Sequence, residues 1–431
     1  MSNRILALAA AALFCAAAGS SYADTKLSVW HIWPPEGASG KIYEQYAAEF
    51  EAANPGVEVE LVVTPHSNYF QRLTAAIAAG EGPDVFALTY RRLLDFEENG
   101  VLAPIDASAA GSMGFASLAG FRTAWAPGSL ESYQVGDTLY GVPLQFNIYA
   151  WIINAKHFRE AGLDPVRDAP KTWDEVHAVA EKLVQKDANG RITRQALSFP
   201  FPLSAAWYLL ELEPVLRELG GSILNEDQTA ALINSEAGIK TMEVIKQRFD
   251  LGVSDKNIAA GLDYYNEGFP TGKFSMTIGG NWGIPRWLKN FEGTVEEDEF
   301  LAVPTPTFAG GSTATSTTGW AWTVFNGSDQ KDLAWKMADF LTSQPARHLE
   351  QTGDIIPRAG WSQTEAAKSI PQAAFWEDML QHSQPLAKMR NYTEISEILK
   401  KSMEDILLTG RDIKRTLDRA KVDIDAVLQR G

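Results

Sequence analysis

The first part of the chain alternates between short apolar runs and segments whose apolar residues recur every three to four positions. Residues 26–32, 57–63 and 85–88 predict strands, and residues 39–54 and 68–79 have the spacing of helices that bury one face. Strands that alternate with helices in this way are typical of a parallel sheet. The pattern therefore predicts an α/β fold.

The same alternation continues through the rest of the chain. Residues 140–154 predict an extended crossing between two domains, and the glycine-rich stretch 310–313 predicts a return. Helices are predicted at residues 172–186, 205–219, 235–251, 331–342, 394–408 and 413–429, with one more strand at 274–278. A mature chain of about 400 residues exceeds what one hydrophobic core usually supports, so two domains are expected.

Polar residues follow the predicted strand at 85–88 directly. They are Thr89, Tyr90, Arg91 and Arg92. In open α/β sheets the ligand binds outside the carboxyl ends of the strands. These four side chains are therefore candidates for ligand contact.

The N-terminal segment predicts export. Arg4 precedes an apolar run at 5–18, and Ser21-Tyr22-Ala23 offers the small residues that a signal peptidase reads, so residues 1–23 have the pattern of a cleaved signal peptide. Cys15 is the only cysteine, and Phe14 stands before it where a lipoprotein site needs a small residue. We expect a soluble protein of the Gram-negative periplasm that has neither a lipid anchor nor a disulfide.

Charge and aromatic content narrow the range of partners. The chain has 54 Asp and Glu against 38 Lys and Arg, a formal charge of -16, which disfavours nucleic acid and anionic lipid as partners. It also contains 13 Trp. Indole rings cover flat apolar faces well, so this number indicates large cores or an aromatic-lined pocket.

Short motifs give the chain a resemblance to a known family. In chain order they are Trp30-His31-Ile32-Trp33, Asn54-Pro55-Gly56-Val57, Gly82-Pro83-Asp84-Val85, Pro170-Lys171-Thr172-Trp173, Gly272-Lys273, Gly279-Gly280-Asn281-Trp282 and Gly319-Trp320. In this order and spacing they resemble the extracellular solute-binding proteins, the family that includes the maltose- and glycerol-phosphate-binding components of ATP-binding-cassette (ABC) importers. The resemblance covers essentially the whole mature chain.

The resemblance implies a fold, a function and partners. The fold is the type II periplasmic binding protein fold, in which two α/β lobes joined by a multi-segment hinge close over one ligand like a Venus flytrap. Residues 24–145 and 312–345 are expected to form the N-terminal lobe, and residues 146–311 and 346–431 the C-terminal lobe. The implied protein is a monomer without cofactor, metal or catalytic residues. It captures a mono- or oligosaccharide and delivers it to the permease of an ABC transporter.

Candidate ligand contacts fall in both lobes, because each lobe of such a carrier supplies half of the site. They are Trp33, Glu36, His66, Thr89, Tyr90, Arg91 and Arg92 in the first lobe, Asn147, Tyr149, Trp207, Asn281, Trp282, Trp361 and Arg390 in the hinge and second lobe, and Gly319 and Trp320 at the return crossing. Aromatic rings bind the C–H faces of a pyranose, and carboxylate, amide and guanidinium groups bind its hydroxyls.

Trp282 and Trp320 lead these candidates. Glycines surround Trp282, so its ring is held on an open backbone, and the resemblance places a stacking aromatic at Trp320. The alternative for each Trp is burial in a core, and for His66 a structural role. Burial is the prediction for Trp30, Trp173 and Trp335.

The adjacent Arg91 and Arg92 indicate a second possible class of ligand. Relatives often carry an acidic residue near this position, whereas guanidinium groups bind carboxylate, sulfonate or phosphate in bidentate fashion. The alternative ligand is therefore an acidic sugar or a polyol phosphate. Both arginines also fit the first turn of a solvated helix.

A ferric-ion-binding protein and a secreted glycosidase are less favoured alternatives. Tyr264-Tyr265 resembles the paired tyrosines of some periplasmic iron carriers, although packing under a helix is the favoured role of this pair. The six His residues show no zinc-ligand spacing. A glycosidase needs two facing carboxylates, which a sequence does not reveal, and the chain has no nucleophile-elbow or phosphate-loop motif. An enzyme is therefore not expected.

Overall fold

The computed structural model describes residues 25–201, 203–256, 264–311 and 314–430. The strands are β1 (Thr25–His31), β2 (Val57–Val63), β3 (Val85–Thr89), β4 (Gln134–Val135), β5 (Thr138–Leu139), β6 (Val142–Asn154), β7 (Gln185–Lys186), β8 (Ile192–Leu197), β9 (Phe274–Gly280), β10 (Phe300–Val303), β11 (Thr315–Val324) and β12 (Ser383–Pro385). The predicted signal peptide, residues 1–23, lies outside the described residues.

The helices lie between these strands and at the end of the chain. They are α1 (Ala38–Ala53), α2 (His66–Ala78), α3 (Leu93–Glu98), α4 (Ala107–Ser112), α5 (Leu118–Thr123), α6 (Ala155–Glu160), α7 (Trp173–Leu183), α8 (Ala205–Glu218), α9 (Glu236–Asp250), α10 (Gly283–Asn290), α11 (Lys331–Phe340), α12 (Pro345–Thr352), α13 (Glu365–Lys368), α14 (Ala373–Gln381), α15 (Tyr392–Thr409) and α16 (Ile413–Leu428). Short 3₁₀ turns lie at Tyr90–Arg92, Glu131–Tyr133, Glu297–Glu299 and Trp361–Gln363, and a π-helical turn at Tyr264–Gly268.

Ten of the described strands form one sheet in the order β2-β1-β3-β11-β6-β9-β8-β7, with β10 beside β6 and β12 beside β11. β1 pairs in parallel with β2 and β3, which confirms the parallel start predicted from the first five elements. β11 runs antiparallel to both β3 and β6. The return crossing therefore lies between the first three strands and the rest of the sheet.

The predicted crossing at 140–154 is the 13-residue strand β6, in which every residue is buried. Its first part, residues 142–148, pairs with β11, and its second part, residues 149–154, pairs with β9 and β10. One continuous strand therefore belongs to both halves of the sheet.

Buried hydrophobic side chains collect in three clusters. The first core lies around β1 to β3, α1 and α11; the second lies around β6, β9 and α7; the third joins α8 and α9 to α15 and α16. Trp30, Trp173 and Trp335 are 8%, 5% and 2% exposed, so the prediction that they are buried is confirmed.

Side-chain hydrogen bonds fix where helix α7 begins. Thr172 Oγ1 accepts a hydrogen bond from the backbone N–H of Glu175 at 3.3 Å, and the Glu175 carboxylate accepts one from Lys171 N at 2.7 Å. These bonds satisfy N–H groups at the start of α7, as the spacing of Thr172 and Glu175 predicts. Among the described residues, no helix combines the length and apolar character that a membrane crossing requires.

Candidate functional site

Neighbouring strands in the middle of the sheet carry polar and aromatic residues on one face. On β6, Gln145, Asn147 and Tyr149 share a face, because successive side chains of a strand point to opposite sides. On β11, Trp320 pairs with Gln145, and Thr318 pairs with Asn147. Directly opposite residues of paired strands lie on the same face, so these five side chains form one surface.

The surface extends onto the two flanking strands. Thr89 on β3 pairs with Trp320, and Gly280 on β9 pairs with Tyr149. We call the surface formed by Thr89, Gln145, Asn147, Tyr149, Gly280, Thr318 and Trp320 the central face. It brings together Thr89, Asn147, Tyr149 and Trp320, four residues that the sequence predicts as ligand contacts.

The central face holds buried polar atoms that have no partner. Asn147 Nδ2 donates to Thr318 Oγ1 at 3.3 Å, and Thr318 Oγ1 donates to Tyr149 OH at the same distance. Thr89 Oγ1 and Asn147 Oδ1 have no hydrogen-bond partner among the described residues. A buried polar atom left in this state costs about 1–3 kcal/mol. Thr89 Oγ1 and Asn147 Oδ1 are therefore unsatisfied acceptors on this face.

Burial also fixes the protonation state of one phenol on this face. It raises the pKa of Tyr149 to about 12, although the hydrogen bond with Thr318 and the charges of Arg91 and Arg286 act in the opposite direction. The Tyr149 hydroxyl therefore keeps its proton throughout the physiological pH range.

Aromatic rings from the first core border one side of the central face. Phe70 stacks on Trp320 with ring centres 5.9 Å apart and 12° between the ring planes. Trp33 and His66 meet Trp320 edge-on, at 5.9 and 5.8 Å. We call Trp33, His66, Phe70 and Trp320 the first aromatic wall. It brings three predicted contacts together, and Phe70 covers one face of the Trp320 ring.

Rings from the second core border the other side. Trp282 follows β9 and meets Tyr149 edge-on, with ring centres 5.2 Å apart. Tyr149 also lies 6.4 Å from Trp207, and Tyr265 lies 5.2 Å from Trp207 and 6.1 Å from Trp282. We call Tyr149, Trp207, Tyr265 and Trp282 the second aromatic wall. The two walls thus flank the same surface from two different cores.

Asn281 fastens β6 at the point where its pairing changes from β11 to β9. Its Oδ1 accepts a hydrogen bond from Ile148 N at 2.9 Å, and its own N–H donates to Ile148 O at 3.0 Å. Asn281 Nδ2 is buried without a partner among the described residues. The amide therefore holds the crossing in place and leaves one donor free.

Gly319 acts through the absence of a side chain. A Cβ at this position would lie 2.5 Å from Gln145 O and 2.8 Å from Tyr133 OH. Only glycine therefore allows β11 to lie this close to β6 and to Tyr133. The close approach keeps Trp320 in register with Gln145 and Thr89.

A cleft of about 620 Å³ lies beside the first aromatic wall, since Trp33 lines it. Trp33, Glu36 and Ser39 line it on one side, and Arg286 and Lys289 on the other. The predicted contacts Trp33 and Glu36 therefore share this cleft with basic residues of the opposite side.

Asp354 links the cleft to the central face. Its carboxylate accepts hydrogen bonds from Gln145 Nε2 at 2.6 Å and from Ser39 Oγ at 3.3 Å. Burial raises the pKa of Asp354, and the charge of Arg286 and these two hydrogen bonds oppose the rise. Asp354 thus connects Ser39, which lines the cleft, with Gln145 on β6.

The two predicted arginines have different surroundings. The guanidinium of Arg91 lies 5.8 Å from the ring centre of Tyr90 and 5.9 Å from that of Tyr392. Arg92 instead lies over Phe70, at 4.2 Å from its ring centre. Burial lowers the pKa of His66, and both arginines lower it further, which places both charges near the first aromatic wall.

Two predicted contacts lie away from the central face. Arg390 is exposed, and its Nη1 pairs with Glu98 Oε1 at 3.1 Å. Trp361 is buried in a 3₁₀ turn and lines a separate groove of about 640 Å³ together with Trp376. Neither residue contacts either aromatic wall among the described ring contacts and hydrogen bonds.

The described residues contain no group of three or more His, Cys, Asp or Glu side chains arranged to hold a metal ion. The Tyr265 hydroxyl accepts a hydrogen bond from Gly280 N at 3.2 Å, and its ring packs 4.9 Å from that of Trp287. Tyr265 is thus engaged in packing around β9. The side chain of its predicted companion, Tyr264, lies outside the described part of the structure.

Several residues of the site were missed from the sequence. They include Tyr133, Gln145, Thr318, Asp354, Tyr392 and Glu213, the last of which interacts electrostatically with Arg91. Gln145 and Thr318 lie two positions before Asn147 and Trp320, so strand parity could have found them. Glu213 is a charged residue in an apolar helical run, which is also a usable signal. The other three reach the site from distant segments and carry no local signal.

The chain is similar to known proteins over most of its length. A model of the bacterial extracellular solute-binding proteins matches residues 33–347. A putative binding protein of Brucella abortus is 26% identical over 399 residues, which cover 91% of each chain. The maltotriose-binding protein of Pyrococcus abyssi is 24% identical over 329 residues, 74% of this chain and 63% of that protein.

The fold has counterparts among solved structures. An ABC substrate-binding protein of Listeria monocytogenes, in complex with cycloalternan, has a TM-score of 0.79 and 21% identity, and the match covers 94% of this chain and 99% of that one. This similarity confirms the predicted α/β fold of two lobes joined by a multi-segment hinge. The central face lies where the pairing of β6 changes from β11 to β9.

Proposed function

Because the chain belongs to the bacterial extracellular solute-binding proteins, we propose that it is a receptor that closes around a carbohydrate and delivers it to the permease of an ABC importer. The Pyrococcus relative is named for maltotriose, and the Listeria structure contains cycloalternan. Both ligands are oligosaccharides, which supports the same class of ligand for this chain.

One observation carries the proposal. Two aromatic walls from different cores flank a face whose Thr89 Oγ1 and Asn147 Oδ1 are buried and unpaired. A pyranose ring offers flat C–H faces for the indoles and hydroxyl groups for the polar atoms. The central face therefore has the two kinds of group that a sugar needs, in one place.

We place the lobe boundaries within β6 and around β11. The N-terminal lobe comprises residues 24–145 and 312–345, and the C-terminal lobe comprises residues 146–311 and 346–431. The composition of the first core supports this division, since its residues come from 27–144 and 320–341, with Ile356 added. Ligand binding then selects the closed arrangement, because only that arrangement lets both walls contact the same sugar.

The remaining parts of the proposal follow from this role. The protein is a monomer of the Gram-negative periplasm that residues 1–23 direct to export, and it performs no covalent chemistry on its ligand. Membership of a solute-binding family supports this reading over a secreted glycosidase. The engagement of Tyr265 in packing disfavours an iron carrier.

A thermal-shift screen of the mature protein tests the function. We expect at least one mono- or oligosaccharide to raise the melting temperature, because a ligand at 100 times its dissociation constant adds about 2.7 kcal/mol of stability. Small-angle scattering with that sugar is expected to show a smaller radius of gyration. Product analysis after incubation is expected to recover the sugar intact. Sugars that bind without compaction, or that are cleaved, would contradict a closing carrier.

A further inference from the structure

Arg91 is a cation without a counter-ion beside the central face. It follows Thr89 by two residues, and its guanidinium lies between the rings of Tyr90 and Tyr392. It forms no hydrogen bond or ion pair with any residue in the described part of the chain. A charge removed from water is costly unless it is paired. A bound molecule is the remaining source of compensation.

The groups that shift the pKa of Arg91 show what surrounds its guanidinium. Desolvation lowers the pKa of Arg91, but interactions with Tyr392, Tyr90, Tyr149 and Glu213 outweigh it and raise the pKa overall. These residues belong to both lobes, so Arg91 lies between the lobes rather than on an outer surface.

Three phenol hydroxyls near Arg91 also lack partners. The OH groups of Tyr90, Tyr133 and Tyr392 are buried without a hydrogen-bond partner among the described residues, and each ring is at most 7% exposed. Each phenol interacts electrostatically with Arg91. Burial raises the pKa of all three, so they keep their protons and act as donors. Three phenol donors without hydrogen-bond partners in the described part of the chain therefore lie near the Arg91 guanidinium, which has no ion pair there.

Glu213 is the carboxylate that interacts with Arg91; other groups engage its Oε2, whereas its Oε1 has no hydrogen-bond partner among the described residues. Its Oε2 accepts a hydrogen bond from Ala387 N at 2.8 Å and lies 3.8 Å from Arg217 Nη1. Burial raises the pKa of Glu213 to about 7, against the lowering effect of Ala387 N–H, Arg217 and Arg91. Arg91 and Arg217 therefore share one carboxyl group, that of Glu213, which is only partly ionised near neutral pH. The three groups together carry a net positive charge.

Arg92 does not share this situation. Its guanidinium lies over Phe70 at 4.2 Å, and its interaction with Asp95 opposes the effect of burial on its pKa. Arg92 also forms no hydrogen bond or ion pair among the described residues, but unlike Arg91 it has a carboxylate neighbour, Asp95, on its own segment.

We propose that the carbohydrate carries an anionic group, a carboxylate, sulfonate or phosphate, which binds Arg91 and receives hydrogen bonds from Tyr90, Tyr133 and Tyr392. This inference rests on the proposed function and assigns a class of ligand within it. A guanidinium with neighbouring hydroxyl donors matches the acceptor oxygens of such a group. A neutral sugar would leave this half-buried cation without an ion pair.

Matched pairs of sugars test the proposal by isothermal titration calorimetry. The probes are D-glucuronate, D-glucose 6-phosphate and 6-deoxy-6-sulfo-D-glucose against D-glucose, D-galacturonate against D-galactose, and maltose and maltotriose as neutral oligosaccharides. We expect at least one acidic member to bind at least about tenfold more tightly than its neutral partner, the scale of one hydrogen bond to a charged group. The acidic sugar that binds most tightly relative to its neutral partner identifies the anionic group.

Two variants assign that preference to the proposed residues. Arg91→Gln is expected to reduce the preference to less than about twofold, and Tyr392→Phe, which keeps the ring and the charge of Arg91, to weaken the acidic probe alone by about tenfold. Arg347→Gln is the matched control. Arg347 also lies over a tyrosine ring, 5.1 Å from that of Tyr46, but it pairs with Glu49 at 2.7 Å and lies outside the site. It is expected to keep the wild-type preference.

The outcomes separate the two proposals. A neutral sugar that binds as tightly as its acidic partner, or a preference that survives in both Arg91→Gln and Tyr392→Phe, overturns the anionic ligand and leaves the carbohydrate receptor intact. Failure of every probe, neutral and acidic, to bind the wild-type protein overturns the proposed function itself. Should Arg91→Gln unfold, the Tyr392→Phe result decides the question.

Discussion

The indole ring of Trp282 lies against the backbone of Gly280, two residues before it. A Cβ added to Gly280 would come within 1.6 Å of ring atom Cζ3 of Trp282. Gly280 is therefore a packing requirement, because the Trp282 ring occupies the space of the missing side chain. The contact sets where the second aromatic wall stands relative to the central face.

Gly280→Ala is expected to displace the Trp282 ring. Binding of the cognate carbohydrate should weaken by about tenfold or more, or about 1.4 kcal/mol, and overpacking should cost about 1–3 kcal/mol of stability. Calorimetry and urea unfolding measure the two effects. Gly111→Ala is the control, since a Cβ there meets nothing within 4 Å. Unchanged affinity in Gly280→Ala would remove Trp282 from the site.

Trp282→Ala and Trp320→Ala are each expected to weaken ligand binding and to lower stability. Each should weaken binding by about 1.5–3 kcal/mol, the scale for burying a large apolar side chain. Both variants should also lower the free energy of unfolding, because the two rings are only 7% and 8% exposed and Trp320 stacks on Phe70. Trp335→Ala, in the first core, should lose stability and keep its affinity. Either binding variant with wild-type affinity would identify that ring as core.

Arg390→Ala is expected to change binding only slightly. Arg390 pairs with Glu98 across the two proposed lobes, and both side chains are about half exposed. Exposed pairs of this kind contribute about 0–1 kcal/mol, so affinity should fall no more than about fivefold. A double-mutant cycle with Glu98→Gln measures the coupling. A loss of affinity above about 50-fold, independent of Glu98, would show direct ligand contact instead.

His348 is expected to make the fold sensitive to acid. It is 1% exposed and stacks on Tyr46, with ring centres 6.4 Å apart, and burial lowers its pKa to about 3. Its unfolded pKa is about 6.5. Between these values the unfolded chain binds a proton that the folded chain does not. The stabilisation is complete above about pH 6.5 and is lost as pH falls, by about 1.4 kcal/mol per unit between about pH 5.5 and 4.

Urea unfolding of His348→Phe between about pH 4 and 8 tests this assignment. The slope of unfolding free energy against pH should decrease by about one proton relative to the wild type. Leu349→Val is the control, because the loss of one buried methylene should lower stability equally at every pH. An unchanged slope in His348→Phe would show that other groups cause the acid sensitivity.

The sequence predicted the start of the fold well because its signals are local. The strands at 57–63 and 85–88 and the helix at 39–54 were placed within about two residues, since their apolar spacing matches the faces they bury. β12 was missed. It has three part-exposed or exposed residues and pairs with β11, so only a tertiary contact defines it.

The residues of the candidate site also fall into those that local sequence signals predict and those that only the folded chain brings together. Thr89, Asn147 and Trp320 could be predicted because they lie at strand ends or on crossing segments. Tyr392 could not, because its role depends on the start of α15 lying against Arg91, some 300 positions earlier in the chain. The sequence also does not distinguish Arg91 from Arg92, which differ only in what surrounds them once the chain has folded.

The continuity of β6 restricts how this protein could be divided or engineered. Because residues 142–148 pair with β11 and residues 149–154 pair with β9 and β10, a cut anywhere in the strand removes an interior strand from one half of the sheet. The exposed edges would be long and apolar, and such edges promote aggregation. The lobes should therefore be expressed together, and sensor insertions or circular permutation should use the surface loops between helices instead.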